Sequence, residues 1–557
     1  MSYLNSNLTN PYRCDFVFAV TQGAINAAMM NYLSDSPFPE ISCVWVMSEG
    51  SHPAPVQIPY KKLMELAHNT DPFKVPDGID PDKNQDVKNL VGARFLGGFR
   101  AQIGLPSGLD ESVNVVTLGA DTASVQFNLL CSSFHVVQYT PASQFTDPSW
   151  MNKSQPADKP WIFQSRVNLK LAKFEGSDST LPAAVQDRIK SLQLQPGTFS
   201  IQQLFLHLDD PGGATVPSII GVPIPSMLHD WLQEYFLGAY WTTMIATKQP
   251  VLAHAITGQA DQSSLALTSL NFQTSPFIPS GQPPKNPGDL DTLCYLGETN
   301  NNVLPVTTGA FPWNWIDETE RSQWHGAVAI NQASLKVWLT KALLPYVKTQ
   351  CMRFSPQCSA KGTYIYLQCT PYSGVDPTTS TPGPNQLAYF TYTVKEDSSA
   401  RSSEITGQEN FSLEVVQSSE TQIKIVQKIL VQLYVYVFGS HTNGNVINSE
   451  ITSIYDTSVD AEGSVHFTLN APLSTRKDNP DSLDFRAFAD WLLDSPNEKV
   501  IDPVTNTIRS LADSLGNPNL STARFIVPGH AAVAYSGAKF SQSGDMVFHL
   551  TYGTPAL

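Results

Sequence analysis

Basic residues are in short supply: 34 Lys and Arg stand against 49 Asp and Glu, leaving a formal charge of -15 over 557 residues. Neutralising a phosphate backbone takes a surplus of cations, so a nucleic-acid partner is disfavoured. Simple electrostatic adhesion to anionic membranes is disfavoured too, and any lipid contact would have to be apolar or pocket-like. Cysteines are also few. The seven are scattered and lack CxxC spacing, which indicates neither a disulfide framework nor a zinc site but reduced, mostly buried thiols. Long apolar runs are missing as well. The best candidate, 424–438, is interrupted by Gln427, Lys428 and Gln432 and falls short of the roughly 18 residues of a membrane span, so it reads as a buried strand. The opening MSYLNSNLTNPYRCDF lacks the basic and apolar regions of a secretory leader; a cytoplasmic location is expected, with non-classical release as the alternative. On that expectation the sequons at Asn7, Asn152, Asn410 and Asn519 carry no weight.

Catalytic signatures are absent in the same way. No G-x-G-x-x-G loop, P-loop, G-x-S-x-G elbow or H-E-x-x-H occurs. Tyr535 and Lys539 have the Tyr-x-x-x-Lys spacing of short-chain dehydrogenases without the dinucleotide loop that would give it meaning. In LHLDD, His207 and Asp209 would share one face of a strand end and are weak candidates for a divalent metal, but no third ligand is visible nearby. The alternative there is a rim, with Asp210-Pro211-Gly212 as a turn. Cys351 and Cys358 have no standard metal spacing, and His325, His466 and His549 stand alone. No enzymatic activity and no cofactor are expected; an enzyme with an unrecognised site is the remote alternative.

What is present is apolar patterning. Hydrophobic residues make up 41% of the chain against 15% charged, enough for large cores. FVFAVTQGAINAAMMNYL (16–33) and AVAINQASLKVWLTKAL (327–343) read as one pattern written twice: Ala19, Gln22 and Leu33 align with Ala329, Gln332 and Leu343 at an offset of 310. Each is a short apolar run followed by helical spacing, with Ile25, Met29 and Leu33 on one face and Leu335, Leu339 and Leu343 on the other copy's face. Alternating strands are expected at 124–139, 161–174 (Val167, Leu169 and Leu171 inward), 198–210, 362–370, 386–394, 423–438 (Val431, Leu433 and Val435 inward), 463–470 and 545–553. Short helical pieces are expected at 59–68 and 483–493, and a longer amphipathic helix at 225–244. Between 257 and 309 periodicity fades and proline accumulates, as in a surface connection. The expected class is α+β: two modules, 1–256 and 310–557, joined by 257–309, each with a long amphipathic helix on a strongly curved antiparallel sheet. A helix laid against such a sheet leaves a groove for greasy ligands, and the twelve inward residues named above are candidates for its lining.

Several blocks resemble a known family. NPYRCDFVFAVTQGAIN, TFSIQQLFLHLDD, FPWNWIDE with HGAVAIN, and the ending FIVPGHAAVAYSGAKFSQSGDMVFHLTYG resemble the OrfX-type and related accessory proteins found beside clostridial neurotoxin genes. Arg13-Cys14 stands where that family would have Gly-Trp before Asp15. The resemblance implies the tubular lipid-binding (TULIP) fold, some of whose members in this family bind phosphoinositides, and it implies no catalytic residues. Its expected function is therefore binding of a lipid or other hydrophobic small molecule as a toxin-cluster accessory. The alternative is a protein-interaction or toxin-assembly component with filled cores, docking a toxin or accessory protein.

Overall fold

The computed structural model describes residues 2–478 and 525–552, apart from 10, 36–37, 110–112, 120–123, 145, 177–180, 182, 192–197, 208–217, 221–231, 248–250, 260–264, 280–286, 305–308, 352, 362–363, 373–374, 462–464, 471–474 and 527–532. Asp209, the 225–231 part of the expected long helix and the expected helix at 483–493 lie outside the described residues. Within them the chain is α+β and mainly sheet.

A six-stranded antiparallel sheet takes strands from both ends of the chain. Its order is β2 (Leu267–Ser275), β3 (Thr292–Thr299), β1 (Phe16–Thr21), β4 (Gly326–Ile330), β12 (Met546–Tyr552), β11 (Val533–Phe540). Every residue of β1, β3 and β4 is buried. The apolar runs of β1 and β4 and the Leu293–Leu296 centre of β3 fit this, since neither face meets water. Phe16, Phe18, Val20, Tyr295 and Val328 face the main core. Val17, Ala19, Cys294, Ala327 and Ala329 face a second core closed by Tyr12, Phe311, Trp313 and Trp315. On the main-core side Gly326 leaves no room for a side chain: a Cβ there would lie 2.2 Å from the Ala19 carbonyl oxygen.

The stretch 257–309, expected to be a surface connection, therefore supplies two strands of this sheet. β3 is buried on both faces and so shows no polar alternation, and its neighbouring prolines and glycines masked it. The Tyr535 and Lys539 pair falls on β11, where Gly537 takes φ +68 at a register shift.

In the first half β1 leads into α1 (Gln22–Asp35). Two sheets follow. One pairs 40–47, 55–58, 95–103, 131–140 and 149–154, and the other includes 124–129, 162–173, 199–207 and 251–258. The expected strand 124–139 is thus two strands of different sheets, broken at Leu130. There the Tyr240 hydroxyl accepts from the Leu130 N–H (3.2 Å) and donates to its carbonyl (3.1 Å), doing at the corner what a ladder would do in a straight strand. Tyr240 lies on α2 (Leu237–Thr247), which continues from a π turn at Leu232–Phe236. The Phe236 ring sits 5.6, 4.9 and 4.6 Å from Phe99, Phe134 and Phe163, joining both sheets to the helix.

In the second half β4 leads into α3 (Gln332–Gln350), whose first turn is capped by the Asn331 side chain accepting from the Ala333 N–H at 2.8 Å. A hairpin follows, β5 (Arg353–Lys361) and β6 (Tyr364–Tyr372), and then a meander of long strands: β7 (Gln386–Ala400), β8 (Ser403–Gln417), β9 (Gln422–Val437) and β10 (Ser440–Val459). Alternation along β9 and most of β8 turns one face inward, including Ile405, Phe411, Leu413, Val431, Leu433 and Val435.

Candidate functional site

The inner face of the long meander is an extended apolar surface, and its contacts fix how the chain lies along it. At the start of β7, Lys336 of α3 donates to the Gly383 carbonyl at 2.9 Å and Gln332 donates to the Pro384 carbonyl at 3.0 Å. Further on, the Tyr346 hydroxyl donates to Gln427 at 3.0 Å, in the cross-strand row of Phe390 and Leu413. From Lys336 to Tyr346 a helix rises about 15 Å, and from Gln386 to Phe390 a strand advances about 13 Å. The two paths agree, so α3 runs along the strands, and its last turn from Val347 to Gln350 carries it about 6 Å past the Phe390 row. About 20 Å of strand, from Val394 to Ala400, extends beyond it.

That second stretch is met by the hairpin. Cys358 of β5 donates its N–H to the Ser398 hydroxyl at 3.0 Å, and its Sγ lies 3.5 Å from the Ser403 carbonyl. Ser398 shares its row with Ile405 and Val435. Leu335, Leu339 and Leu343 are buried on α3, and Val431, Leu433 and Val435 occupy the cross-strand rows of Val394, Glu396 and Ser398. All six belong to one continuous core, and the three strand residues are 0, 1 and 3% exposed. The inner face is closed in this structure.

The first-half candidates join the same core. Ile25, Met29 and Leu33 form the buried face of α1, Val167 and Leu169 are buried, and Leu171 is half-buried. The strand 162–173 meets the π turn before α2 through Phe163 and Phe236, whereas α1 is tied to 116–118. There the Asn26 amide exchanges bonds with Val116 (2.8 Å each way) and Gln22 accepts from the Leu118 N–H at 2.6 Å, so two side chains take the place of a strand edge. His207 ends its strand at 199–207, and no metal-holding group of three His, Cys, Asp or Glu side chains exists among the described residues.

Sequence reasoning missed the polar groups set into these apolar faces. Glu409 is fully buried in the row of Val394 and Val431. Burial, and then the nearby Glu409, push the Tyr392 phenol and the Cys351 thiol up to about 12. The signal was parity: Phe411, Leu413 and Val415 point inward, so Glu409 must as well. A second group surrounds the start of α3. Asp15 accepts from the Thr299 N–H and hydroxyl (2.9 and 2.8 Å), the Asn302 amide (2.9 Å) and the Ser334 hydroxyl (2.6 Å). Asp545 accepts from the Leu8 N–H (2.8 Å), the Ser6 hydroxyl (2.9 Å) and the Gln332 N–H (3.0 Å). Burial raises Asp545 to about 6, and burial together with the neighbouring Asp15 raises Glu298 to about 9. Asp545 joins the two ends of the chain, and Asp15 ties the first strand to the start of α3.

No family model and no curated protein matches the sequence. Among solved structures, the chain is similar to P47 of Clostridium botulinum E1 (10% identity, TM-score 0.45, 97% of this chain and 100% of that one) and to P47 from Clostridium botulinum A2 (10%, 0.42, 97% of each). It is also similar to a lipopolysaccharide binding protein, at 10% identity and a TM-score of 0.30, over 97% of this chain and 100% of that one. No helix among the described residues is long and apolar enough to cross a membrane.

Proposed function

We propose that the protein binds a lipid or other hydrophobic small molecule along the inner face of the β7–β10 meander, and carries out no reaction on it. The observation that carries this is the extent of that face. α3 covers only its first part, and the remaining rows are closed by the β5–β6 hairpin, a two-stranded sheet of its own. Isolated two-stranded sheets are marginal in stability, so this hairpin is the part of the wall that a ligand would displace. Each methylene moved from water onto the freed surface contributes about 0.8 kcal/mol. Glu409 and Tyr392 beside the end of α3 would meet a polar headgroup. The thiols of Cys131, Cys294 and Cys351 are pushed up by burial and His254 and His549 are pushed down to about 4, which favours binding over nucleophilic or acid–base chemistry.

A specific observation favours the second reading, a toxin-assembly or other interaction component with filled cores: Val431, Leu433 and Val435 are already covered by protein. Organic extraction of the purified protein followed by mass spectrometry, with uptake of a fluorescent fatty acid as a second arm, separates the two. Co-purified lipid or saturable uptake is expected. Neither lipid nor uptake would overturn ligand binding and leave the filled core.

A further inference from the structure

The outer face of the same strands carries a cavity of its own, about 540 Å³ in volume and open to solvent, which falls within the range of small-molecule sites. Its polar lining comes from the outer face, because successive residues of a strand point to opposite sides, and Leu433 of the inner-face set also reaches its wall. Gln408, Gln432 and Asn445 stand side by side in one cross-strand row, with Lys395 at its end; Thr406, Tyr434 and Asn443 form the next row. Gln432 donates to the Asn445 carbonyl oxygen at 2.9 Å, which sets the orientation of both amides. The register shifts just there, between Val431 and Gln432, and Gly444, paired with Leu433, stands between the two polar rows.

The composition of this lining selects a ligand class. Four side-chain amides present donors and acceptors together, the pattern that vicinal hydroxyls of a pyranose ring satisfy, since each hydroxyl both donates and accepts. Lys395 and Glu404 cancel in charge, which disfavours an anion, and a single carboxylate cannot hold a divalent cation. An apolar ligand would leave the amides unpaired at a desolvation cost. Tyr434, with the His441 ring 6.4 Å from its own, supplies an aromatic surface for the C–H face of a sugar. We infer that this cavity is a binding site for a neutral saccharide.

A glycan chain and a glycolipid headgroup present the same hydroxyls, so the test has two arms. Saturation-transfer NMR uses the full-length protein with methyl glycosides of glucose, galactose, mannose and N-acetylglucosamine and with lactose. Sedimentation uses phosphatidylcholine vesicles with and without lactosylceramide. Wild-type protein is expected to show saturable binding in at least one arm, a response to the soluble sugars indicating a glycan and one confined to lactosylceramide vesicles a headgroup. Gln432→Ala and Tyr434→Ala are expected to weaken it at least fivefold. Both side chains are on the outer face, and unchanged melting curves would establish that the fold is intact. Absence of binding by the wild type in both arms would overturn the inference, as would binding that survives both substitutions.

Discussion

Glu298 shows how far burial can move one side chain from its usual behaviour. It is 1% exposed, sits beside Asp15, and is raised from 4.5 to about 9, so it is neutral at pH 7 and donates to its neighbour. A folded value above the unfolded one means that the stabilising contribution is full below about 4.5 and is lost as pH rises toward about 9. Glu298→Gln keeps the shape and the donor but does not titrate. Its stability relative to the parent is expected to rise with pH above 5, by as much as about 1.4 kcal/mol per pH unit. Urea unfolding of both proteins at pH 5, 7 and 8.5 measures this, and parallel pH profiles would contradict it. Asp545 has the same sign over the narrower window from 3.8 to about 6. Neither role was legible in the sequence, where Asp15 stood out only as the acid before a strand and Asp545 only as the start of a closing strand. Their partners, such as Thr299 and Ser334 for Asp15 and Ser6 and Gln332 for Asp545, lie far away along the chain, beyond the reach of any local pattern.

Elements were legible wherever one face is wet. The alternation of 423–438 and of 161–174 placed both strands, and the 3.6-residue spacing placed the faces of α1 and α3, because buried and exposed sides differ in polarity. Strands buried on both faces, such as β3, carry no such contrast and disappeared among the prolines. The repeated strand-and-helix pattern gains a geometric counterpart in the central sheet. β1 and β4 are antiparallel neighbours, and Phe18 pairs with Val328, the residue it aligns with at the offset of 310. On either side stands a hairpin whose second strand contacts the opening strand, β2–β3 beside β1 and β11–β12 beside β4. Duplication about a local two-fold axis would produce this order, and we propose it as the origin of the sheet. Equivalent roles then follow for Met29 and Leu339, buried at 3 and 1% on their helices. Replacing either with Asp would place an unpaired charge in the core at a cost of roughly 4 kcal/mol or more. Insoluble protein or a melting transition lowered by at least 10 °C is expected, and a variant that melts like the parent would contradict the placement.

At the scale of the whole molecule the two halves share their most buried sheet, and this bears on how the chain can be divided. A cut after residue 309 leaves β2, β3 and β1 together but exposes the edge of β1 that pairs with β4 from Phe16 to Val20. It also separates Asp545 from Ser6 and Leu8, Asp15 from Ser334, and the Gln542 N–H from the Leu4 carbonyl at 2.9 Å. An apolar strand edge without its partner is a template for aggregation, and a buried carboxylate stripped of its donors costs roughly 1–3 kcal/mol for each lost bond. Fragments 1–309 and 310–557 are therefore expected to aggregate when made alone and to form a soluble one-to-one complex when made together, because each completes the other's sheet. Size-exclusion chromatography of single and joint expression distinguishes the cases. A monomeric, cooperatively melting fragment from either half would mean that its own sheets suffice, and that the shared sheet only docks two independent modules.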